Sequence, residues 1–309
     1  MSTDKSKAED RSAVLSKRGH DYGVHHFHAP QGGDLVTIVS SVISLPEDLV
    51  FELLCLGSIY LNHERCEKEK VNGIQAGDYL RVHTRPRRFP TLDVVTKNQV
   101  IAETDDFIVV NKPAGIPVHP TVDNRLENLI TSLSQQLNFP LFVTHRLDVP
   151  TEGLIIFAKT KLFQKQFNQM LQDSSVKKIY KALVETNLIS PKMTKQGSIV
   201  HFMEPSPRAP KVVSSEERER WQRCSLKILE LKQVFTGITE VTIELETGRT
   251  HQIRAQLAHE GCPILGDVMY GSTKKYGEEF ESIALQSYQV SFPPGYCFQL
   301  EKKLGAGLF

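Results

Sequence analysis

Cysteine is scarce in this sequence: five occur among 309 residues, and no two of them are three positions apart. An odd number without that spacing argues against a disulfide framework and against a structural zinc site. Long apolar runs are also missing, since no stretch approaches the roughly 18–20 apolar residues of a membrane-spanning helix. The first eleven residues hold three acidic side chains and no apolar run, which argues against a secretory signal. We therefore expect reduced thiols and a cytoplasmic location, with nucleus and organelle left open.

An excess of charge of either sign is missing as well. The 37 basic and 36 acidic side chains leave a formal net charge of +1, so bulk charge does not indicate a nucleic-acid partner. Neither a G-x-G-x-x-G nor a P-loop pattern occurs, which lowers the case for a nucleotide cofactor. Hydrophobic residues make up 40% of the chain, enough for a sizeable core.

Composition divides the chain into three predicted parts. Residues 1–33 are polar and include four histidines. A flexible tail is the favoured interpretation, because no cysteine or acidic ligand pattern supports the alternative of a metal-binding tract. Residues 34–90 predict a small α+β domain, and residues 91–309 a larger catalytic one. Many strand patterns with few helices between them predict that the larger part has an α+β fold, with a mixed, mostly antiparallel sheet and flanking helices.

The small domain has a definite order of predicted elements. Pro46 to Leu56 predicts a helix that ends at Gly57, and the strand patterns G-S-I-Y-L-N and G-D-Y-L-R-V follow it. This order partly resembles the small RNA-binding domain first described in a ribosomal small-subunit protein. The helix carries acidic side chains where that family usually has basic ones. Arg87 and Arg88 are candidates for contacts with RNA phosphates, and a solvated charged linker is the alternative.

Asp148 stands in the most informative stretch, H-R-L-D-V-P-T-E-G-L, which runs from His145 to Leu154. Pro150 and Gly153 predict a loop next to an apolar strand. A carboxylate on such a loop is held where a substrate can reach it. For an isolated aspartate in this setting, a turn or capping role is the commoner interpretation.

A second stretch, T-G-R-T-H-Q-I-R, runs from Thr247 to Arg254. It predicts a strand that turns into a helix with Thr250 as the N-cap. Arg249 stands at the corner, where a planar guanidinium can bind a carboxylate in a bidentate pair. Ile253 is predicted to face the core and Arg254 a different side of the helix. An ordinary helix start with exposed charges is the alternative.

Three further stretches accompany these two. K-I-Y-K-A places Tyr180 in a predicted strand, where packing is the usual role of a tyrosine. P-I-L-G-D-V-M-Y-G from Pro263 to Gly271 predicts a turn-rich loop, and N-K-P-A-G-I-P-V-H from Asn111 to His119 predicts a strand that runs into a loop. Each of these motifs is weak or moderate evidence by itself.

Taken together and in this order, the stretches resemble the motif set of the RluA-type pseudouridine synthases, over about Val100 to Phe292. Their joint occurrence is far more specific than any single motif. Two positions depart from that set: Glu152 stands where the family commonly has serine, and Gln286 stands where it commonly has histidine. Glu152 adds a negative charge close to Asp148.

The resemblance implies an isomerase that converts a uridine in ribosomal or transfer RNA to pseudouridine. It implies RNA as the partner and no metal or organic cofactor, and we expect a monomer. It further implies that Asp148 attacks C1′ of the ribose or removes a proton from the sugar, and that Arg249 pairs with Asp148. Tyr180 is implied to lie against the uracil and is a candidate to take part in moving the C5 proton.

A stacked uridine must be flipped out of the RNA before its sugar can be reached. Following the family pattern, Arg146 is predicted to enter the vacated stack or to bind a flanking phosphate. His145 is a candidate for RNA contact, with a structural role as the alternative. Ile253 is predicted to help enclose the base, and Arg254 is a further candidate for RNA contact. A non-catalytic RNA-binding or ribosome-assembly protein on the same fold is the main rival interpretation, and a hydrolytic glycosidase is a second.

Overall fold

The chain divides into two compact units. The computed structural model describes residues 23–67, 73–90, 99–189, 197–277, 282–301 and 304–305. The smaller unit comprises Met1–Phe89 and Pro120–Glu127, and the larger unit comprises Pro90–His119 and Asn128–Phe309. Pro120–Glu127 joins the smaller unit through long-range contacts such as the 2.6 Å hydrogen bond from the Ser58 hydroxyl to the Asp123 carbonyl. A division based on composition could not have placed this segment there.

The predicted tail is ordered at its C-terminal end. Val24–His28 forms a strand that pairs antiparallel with Tyr79–His83 and aligns Phe27 with Leu80. Both of these side chains are buried. The histidines around Phe27 hide the apolar alternation that would have predicted this strand. Residues 1–22 of the predicted tail and residues 91–98 of the predicted linker lie outside the described residues.

In the part of the chain that the structure describes, the smaller unit is a four-stranded antiparallel sheet with two helices. Its elements are β1 (Val24–His28), α1 (Leu35–Ile43), α2 (Glu47–Leu56), β2 (Ile59–Leu61), β3 (Glu64–Arg65) and β4 (Tyr79–His83). The sheet has the order β1-β4-β2-β3. α1 begins at Asp34, whose carboxylate accepts a 2.9 Å hydrogen bond from the Thr37 amide. α2 confirms the predicted helix and ends at Gly57, which has a left-handed φ of 75°.

Within its described residues, the larger unit contains one sheet of eleven strands. Its strands are β5 (Val100–Glu103), β6 (Phe107–Lys112), β7 (Phe142–Val143), β8 (Glu152–Ala158), β9 (Lys177–Glu185), β10 (Gly197–Met203), β11 (Val213–Ser214), β12 (Gln222–Phe235), β13 (Ile238–Leu245), β14 (Leu285–Phe292) and β15 (Tyr296–Gln299). Its α-helices are α3 (Leu129–Leu137), α4 (Lys161–Gln172) and α5 (Gln252–His259).

The sheet of the larger unit is mixed but mostly antiparallel, as the sequence predicted. The strand order is β11-β10-β12-β13-β9-β14-β8-β6-β5, with β7 beside β8 and β15 beside β14. β8 and β14 run parallel, and the other pairs among the described strands are antiparallel. The β8–β14 contact therefore joins two antiparallel halves.

Apolar side chains cover both faces of this sheet at β6 and β8. Alternate residues of a strand point to opposite faces. Ile108 and Val110 pack in one core with residues of α3 and α5, whereas Phe107 and Val109 pack in another with residues of α4. Burial on both faces explains why these strands are continuous apolar runs in the sequence.

α5 starts one residue later than predicted. The N-cap is His251, in a left-handed conformation with φ of 57°, rather than Thr250. A left-handed residue at this point turns the chain sharply from the strand side into the helix. The turn brings the His251 ring to the loop that holds Asp148.

Candidate active site

Asp148 lies in the loop between β7 and β8, and its side chain is 21% exposed. Its backbone carbonyl accepts a hydrogen bond from the Thr151 amide at 3.1 Å, which closes the turn. Two side chains approach Oδ2 of the carboxylate: Nη1 of Arg254 at 3.4 Å and Nε2 of His251 at 3.9 Å. The carboxylate is therefore accessible from solvent but held by groups at the start of α5.

Arg254 is the guanidinium that pairs with Asp148. It is 4% exposed and donates Nε and Nη2 to the two oxygens of Asp267, at 2.7 and 2.9 Å. Burial opposes its charge, but the hydrogen bonds and negative charge of Asp267, together with the charge of Asp148, raise the pKa of Arg254 above its ordinary value. Arg254 was predicted to lie on a different side of the helix from Ile253; it is buried there, and the bidentate pair with Asp267 satisfies its charge.

Arg249 occupies a different place from the one predicted. Among the described residues no ion pair joins Arg249 to Asp148; that pair belongs to Arg254. The Arg249 side chain is exposed and lines a cleft, while its amide donates to Oε1 of Gln252 at 3.0 Å. Both arginines lie in one motif, and only the turn at His251 decides which of them points to the carboxylate.

His251 connects Asp148 to the loop that follows β10. Its Nδ1 lies 3.0 Å from the Tyr270 hydroxyl, which accepts a hydrogen bond from the Lys211 amide at 2.7 Å. The Tyr270 phenol thus links His251 to the Lys211 backbone, and Nε2 is the ring nitrogen of His251 that faces Asp148. Burial lowers the pKa of His251, although the charge of Asp148 opposes this. His251 therefore lies next to the carboxylate as an imidazole whose charged form burial disfavours.

Tyr180 is buried on β9 beside Asp148. It is 5% exposed, and the pairing of β9 with β14 places it opposite Ser287. Burial raises the pKa of the Tyr180 phenol well above its ordinary value; the Ser287 hydroxyl opposes this shift, and the charge of Asp148 adds to it. The phenol therefore keeps its proton at neutral pH.

Lys112 is a fully buried lysine under the Asp148 loop. Its Nζ donates to the carbonyls of Pro113 and Ile116, both at 2.8 Å, and of Val149 at 3.1 Å. Three acceptors match the three hydrogens of an ammonium group. Burial lowers the pKa of Lys112 to about 7, and the charge of Asp148 opposes this shift. Lys112 thus ties the loop after β6 to the residue that follows Asp148.

Gly153 allows β8 to approach β14. It has φ of 113°, and a Cβ at this position would lie 2.4 Å from the carbonyl oxygen of Ser287 and 2.6 Å from its nitrogen. The parallel register aligns these two residues. A glycine is therefore required where the Asp148 loop enters the sheet.

Glu152 and Gln286, the two residues that depart from the motif set described above, contact each other. The register of β8 and β14 aligns Glu152 with Gln286, and Nε2 of Gln286 donates to Oε1 of Glu152 at 2.8 Å. Gln286 is 2% exposed. The two changes therefore form one hydrogen-bonded pair at the junction of the two halves of the sheet.

His145 has the contacts of a structural residue. Its Nε2 accepts a hydrogen bond from the Ile156 amide at 3.2 Å, and its ring stacks on Phe167 with centroids 6.0 Å apart. Burial lowers the pKa of His145 to about 3. These contacts favour the structural alternative over RNA contact for this histidine.

Arg146 and Ile253 differ in accessibility. Arg146 is exposed, and its Nη1 lies 3.3 Å from Nε2 of His119. Ile253 is 4% exposed and belongs to the core that also contains Tyr180. Arg146 is therefore placed to meet a large ligand, whereas Ile253 supports the site from inside.

Arg87 and Arg88 lie among carboxylates in the smaller unit. Arg88 donates Nε and Nη2 to Glu127 at 2.9 and 2.8 Å and Nη1 to Glu52 at 3.0 Å. The Arg87 side chain is 65% exposed, with Nε 3.6 Å from a carboxylate oxygen of Asp123. Their contact with phosphate stays a prediction, and Arg87 is the more accessible of the two.

Sequence reasoning singled out no role for four residues of this site: Lys112, His251, Asp267 and Tyr270. Each occurs in a motif that the sequence had marked. A motif shows that polar residues are clustered along the chain, but not which of them face one another after folding.

Histidines of the N-terminal stretch, for which metal binding was the alternative to a flexible tail, have other partners. Nδ1 of His26 lies 2.5 Å from the Tyr79 hydroxyl, and Nδ1 of His28 lies 2.9 Å from the Gly77 carbonyl. Within the described ranges, no group of three histidine, cysteine or acidic side chains is placed to hold a metal ion. His20 lies outside those ranges. No helix in the described part of the chain is long and apolar enough to cross a membrane.

Comparison with known proteins gives consistent matches. A family model described as RNA pseudouridylate synthase matches residues 106–259. RNA pseudouridine synthase 6, chloroplastic, of Arabidopsis thaliana is 38% identical over 219 residues, which are 63% of this chain and 45% of that protein. Ribosomal large subunit pseudouridine synthase D of Buchnera aphidicola is 28% identical over 224 residues, which are 71% of this chain and 68% of that protein. The chain thus spans less than half the length of the Arabidopsis relative.

The fold has a counterpart among solved structures. The structure titled human RNA pseudouridylate synthase domain containing 4 matches with a TM-score of 0.54 at 22% identity, over 67% of this chain and 89% of that one. The matched stretch of the family model contains Asp148, Tyr180 and Arg254. The chain belongs to the RluA-type family of RNA pseudouridine synthases.

Proposed function

We propose that this chain is an RNA pseudouridine synthase that isomerises a uridine within RNA, with Asp148 as the residue that acts on the sugar. The observation that carries the proposal is an accessible carboxylate held 3.4 Å from the buried Arg254, beside the buried phenol of Tyr180. The reaction breaks the bond between N1 and C1′ and forms a bond between C5 and C1′. C5 loses a proton and N1 gains one, so no atom is lost overall.

Asp148 can act by either of two routes. It attacks C1′ directly, or it removes a proton from the sugar; both begin with a carboxylate close to the ribose. Cleavage of the glycosidic bond builds positive charge at C1′, which a neighbouring carboxylate stabilises. Asp267 immobilises Arg254, and Arg254 orients Asp148. The carboxylate is therefore in position before the substrate arrives.

Tyr180 serves the base rather than the sugar. Because burial raises the pKa of its phenol, the group stays protonated at neutral pH. It offers the uracil a flat packing surface and a hydrogen-bond donor, not a strong proton acceptor. Ile253, in the same core, supports this side of the pocket.

The RNA reaches the site as a flipped nucleotide. Removing a uridine from its stack costs a few kcal/mol, about the amount that new contacts to the flipped base and its neighbours can offset. The exposed Arg146 enters the vacated stack or contacts a flanking phosphate. Arg87 of the smaller unit adds a phosphate contact.

The preferred substrate is ribosomal RNA, with transfer RNA as the alternative. The Buchnera relative is named for the large ribosomal subunit, and the smaller unit resembles a domain known from a ribosomal protein. A cytoplasmic location, a monomeric state and the division into an RNA-binding-like and a catalytic domain are also part of this proposal. Because the Arabidopsis relative is named as chloroplastic, an organelle is the alternative compartment.

The test is pseudouridine mapping of cellular RNA from cells whose only copy of the gene encodes wild type, Asp148→Asn or Asp105→Asn. Asp105 is exposed in a turn and serves as the matched control. We expect one or a few uridines to be modified with wild type and with Asp105→Asn, and to be unmodified with Asp148→Asn. Identical maps for all three proteins would instead support a non-catalytic RNA-binding protein. Release of free uracil from RNA by purified protein would support a hydrolytic glycosidase.

A further inference from the structure

A cleft of about 410 Å³ opens near Asp148 in the larger unit. It lies between the loop that follows β10 and the corner between β13 and α5. Its polar lining includes Glu204, Ser206, Lys211, Gly248, Arg249 and Thr250. None of these residues has a part in the chemistry proposed above.

Two cations in this cleft have hydrogens available for a ligand. Within the described residues, no ion pair or hydrogen bond involves the guanidinium of Arg249, and its side chain is exposed. The Lys211 ammonium donates to the Ser206 carbonyl, which leaves two of its three hydrogens. Nζ of Lys178 also lies close to Gly248, because a Cβ at Gly248 would lie 3.3 Å from it, although burial lowers the pKa of this ammonium. Glu204 is the acidic side chain of the lining, so positive charge predominates.

The cleft and the Asp148 carboxylate share a wall. The Lys211 amide donates to the Tyr270 hydroxyl at 2.7 Å, this hydroxyl lies 3.0 Å from His251, and His251 lies 3.9 Å from Asp148. Arg249 precedes His251 by two residues, a span of at most about 7 Å. Arg249 therefore belongs to the same strand-to-helix corner as His251, the residue that approaches Asp148.

We propose that this cleft binds a backbone phosphate of the substrate RNA next to the target uridine, with Arg249 and Lys211 as its cations. The proposal rests on the proposed function for the identity of the strand. The planar fork of Arg249 suits two phosphate oxygens, and Lys211 adds a point charge. Contacts to phosphate position the RNA without reading its sequence. They also give Arg249 a role that does not require a pair with Asp148.

The test is the binding of a fluorescein-labelled oligouridylate of about 12 nucleotides, measured by anisotropy between about 50 and 300 mM KCl. The proteins are wild type, Arg249→Gln with Lys211→Gln, Arg249→Lys, and the control Arg220→Gln. Arg220 is 85% exposed and adjoins the exposed Glu219. The double variant should bind about tenfold more weakly, with a salt slope shallower by about 0.7 for each phosphate that it no longer neutralises. Arg249→Lys should keep most of the slope, and the control should match wild type.

Equal affinity and salt slope for wild type and the double variant would overturn the proposal, as would no binding of the oligouridylate by wild type. Equal weakening in Arg220→Gln would also overturn it. With an RNA that wild type modifies as the substrate, the double variant should raise KM by more than it lowers kcat. A loss of kcat at unchanged KM would instead place Arg249 in the chemical step. A further outcome separates the two proposals: the double variant binds more weakly, but wild type forms no pseudouridine. This result would support the cleft proposal and contradict the proposed function.

Discussion

At the scale of single residues, the electrostatics around Asp148 depend on how Arg254 is held. Its guanidinium is buried, and two of its nitrogens are committed to Asp267. The third nitrogen reaches Asp148 at 3.4 Å. A lysine could supply the charge but not this three-way geometry, because an ammonium is a point charge on a flexible stem.

Arg254→Lys should therefore lower kcat by about a hundredfold, since loss of orientation around a reacting group has effects of this size. KM should change little, because Arg254 is buried away from most of the RNA. Single-turnover kinetics, with saturating enzyme and an RNA that wild type modifies, measure the rate of the chemical step directly. Arg220→Lys is the matched control, and near-normal turnover of Arg254→Lys would remove Arg254 from the site.

The Glu152–Gln286 pair offers a second test at this scale. Removing one partner leaves a buried polar group unsatisfied, which costs about 1–3 kcal/mol. A double-mutant cycle with Glu152→Ala and Gln286→Ala should give a coupling energy of about 1–2 kcal/mol in urea unfolding. The exposed pair Glu219 and Arg220 should give less than about 1 kcal/mol. Additive effects at positions 152 and 286 would show that the hydrogen bond does not stabilise the fold.

At the scale of elements, the parallel contact between β8 and β14 joins the two halves of the larger sheet. It places the strand that follows Asp148 next to the strand that faces Tyr180. The contact is short and depends on a close approach of backbones at Gly153. Stability and activity should therefore both respond to a single methyl group at this position.

Gly153→Ala should destabilise the protein by more than about 3 kcal/mol, because the added Cβ meets backbone that cannot move aside. Gly237→Ala is the control: Gly237 also has a positive φ, of 75°, but has open space around it. Gly237→Ala should lower the free energy of unfolding by about 1 kcal/mol, from backbone strain alone. Thermal unfolding measures both, and equal losses in the two variants would contradict the close-contact argument.

At the scale of the whole molecule, each unit contains a histidine that is kept neutral. Burial lowers the pKa of His83 in the smaller unit to about 4 and that of His145 in the larger unit to about 3. In the unfolded chain these rings take up a proton near pH 6.5. Lowering the pH should therefore lower the free energy of unfolding of both units.

The stability that neutral His145 confers is present above pH 6.5 and is lost as pH falls from 6.5 toward 3. Between pH 6.5 and pH 5 the loss should be about 2 kcal/mol. Urea unfolding followed by the fluorescence of Trp221, the single tryptophan, reports on the larger unit. His145→Gln keeps an acceptor for the Ile156 amide and should show a flatter dependence on pH; an unchanged dependence would exclude His145 as its source.

Much of the fold was readable because the relevant signals are local. The predicted helix from Pro46 to Leu56 matches α2 to within one residue, and the predicted strand that contains Tyr180 is β9. Alternation and capping act within a few residues of the chain, so one sequence is enough to detect them. β1 escaped detection because His25 lies on the same face as the core residue Phe27 and apolar Val24 lies on the opposite face, which breaks the apolar alternation.

The sequence by itself determined the family, the loop that carries Asp148 and the strand that carries Tyr180, since each depends on residues close together in the chain. Only the tertiary structure decided that Arg254 rather than Arg249 pairs with Asp148, and that Glu152 pairs with Gln286. The partners in these two contacts are 106 and 134 residues apart. Contacts over such separations depend on strand register and on the turn at His251, and these follow from the packing of the whole unit rather than from any local pattern.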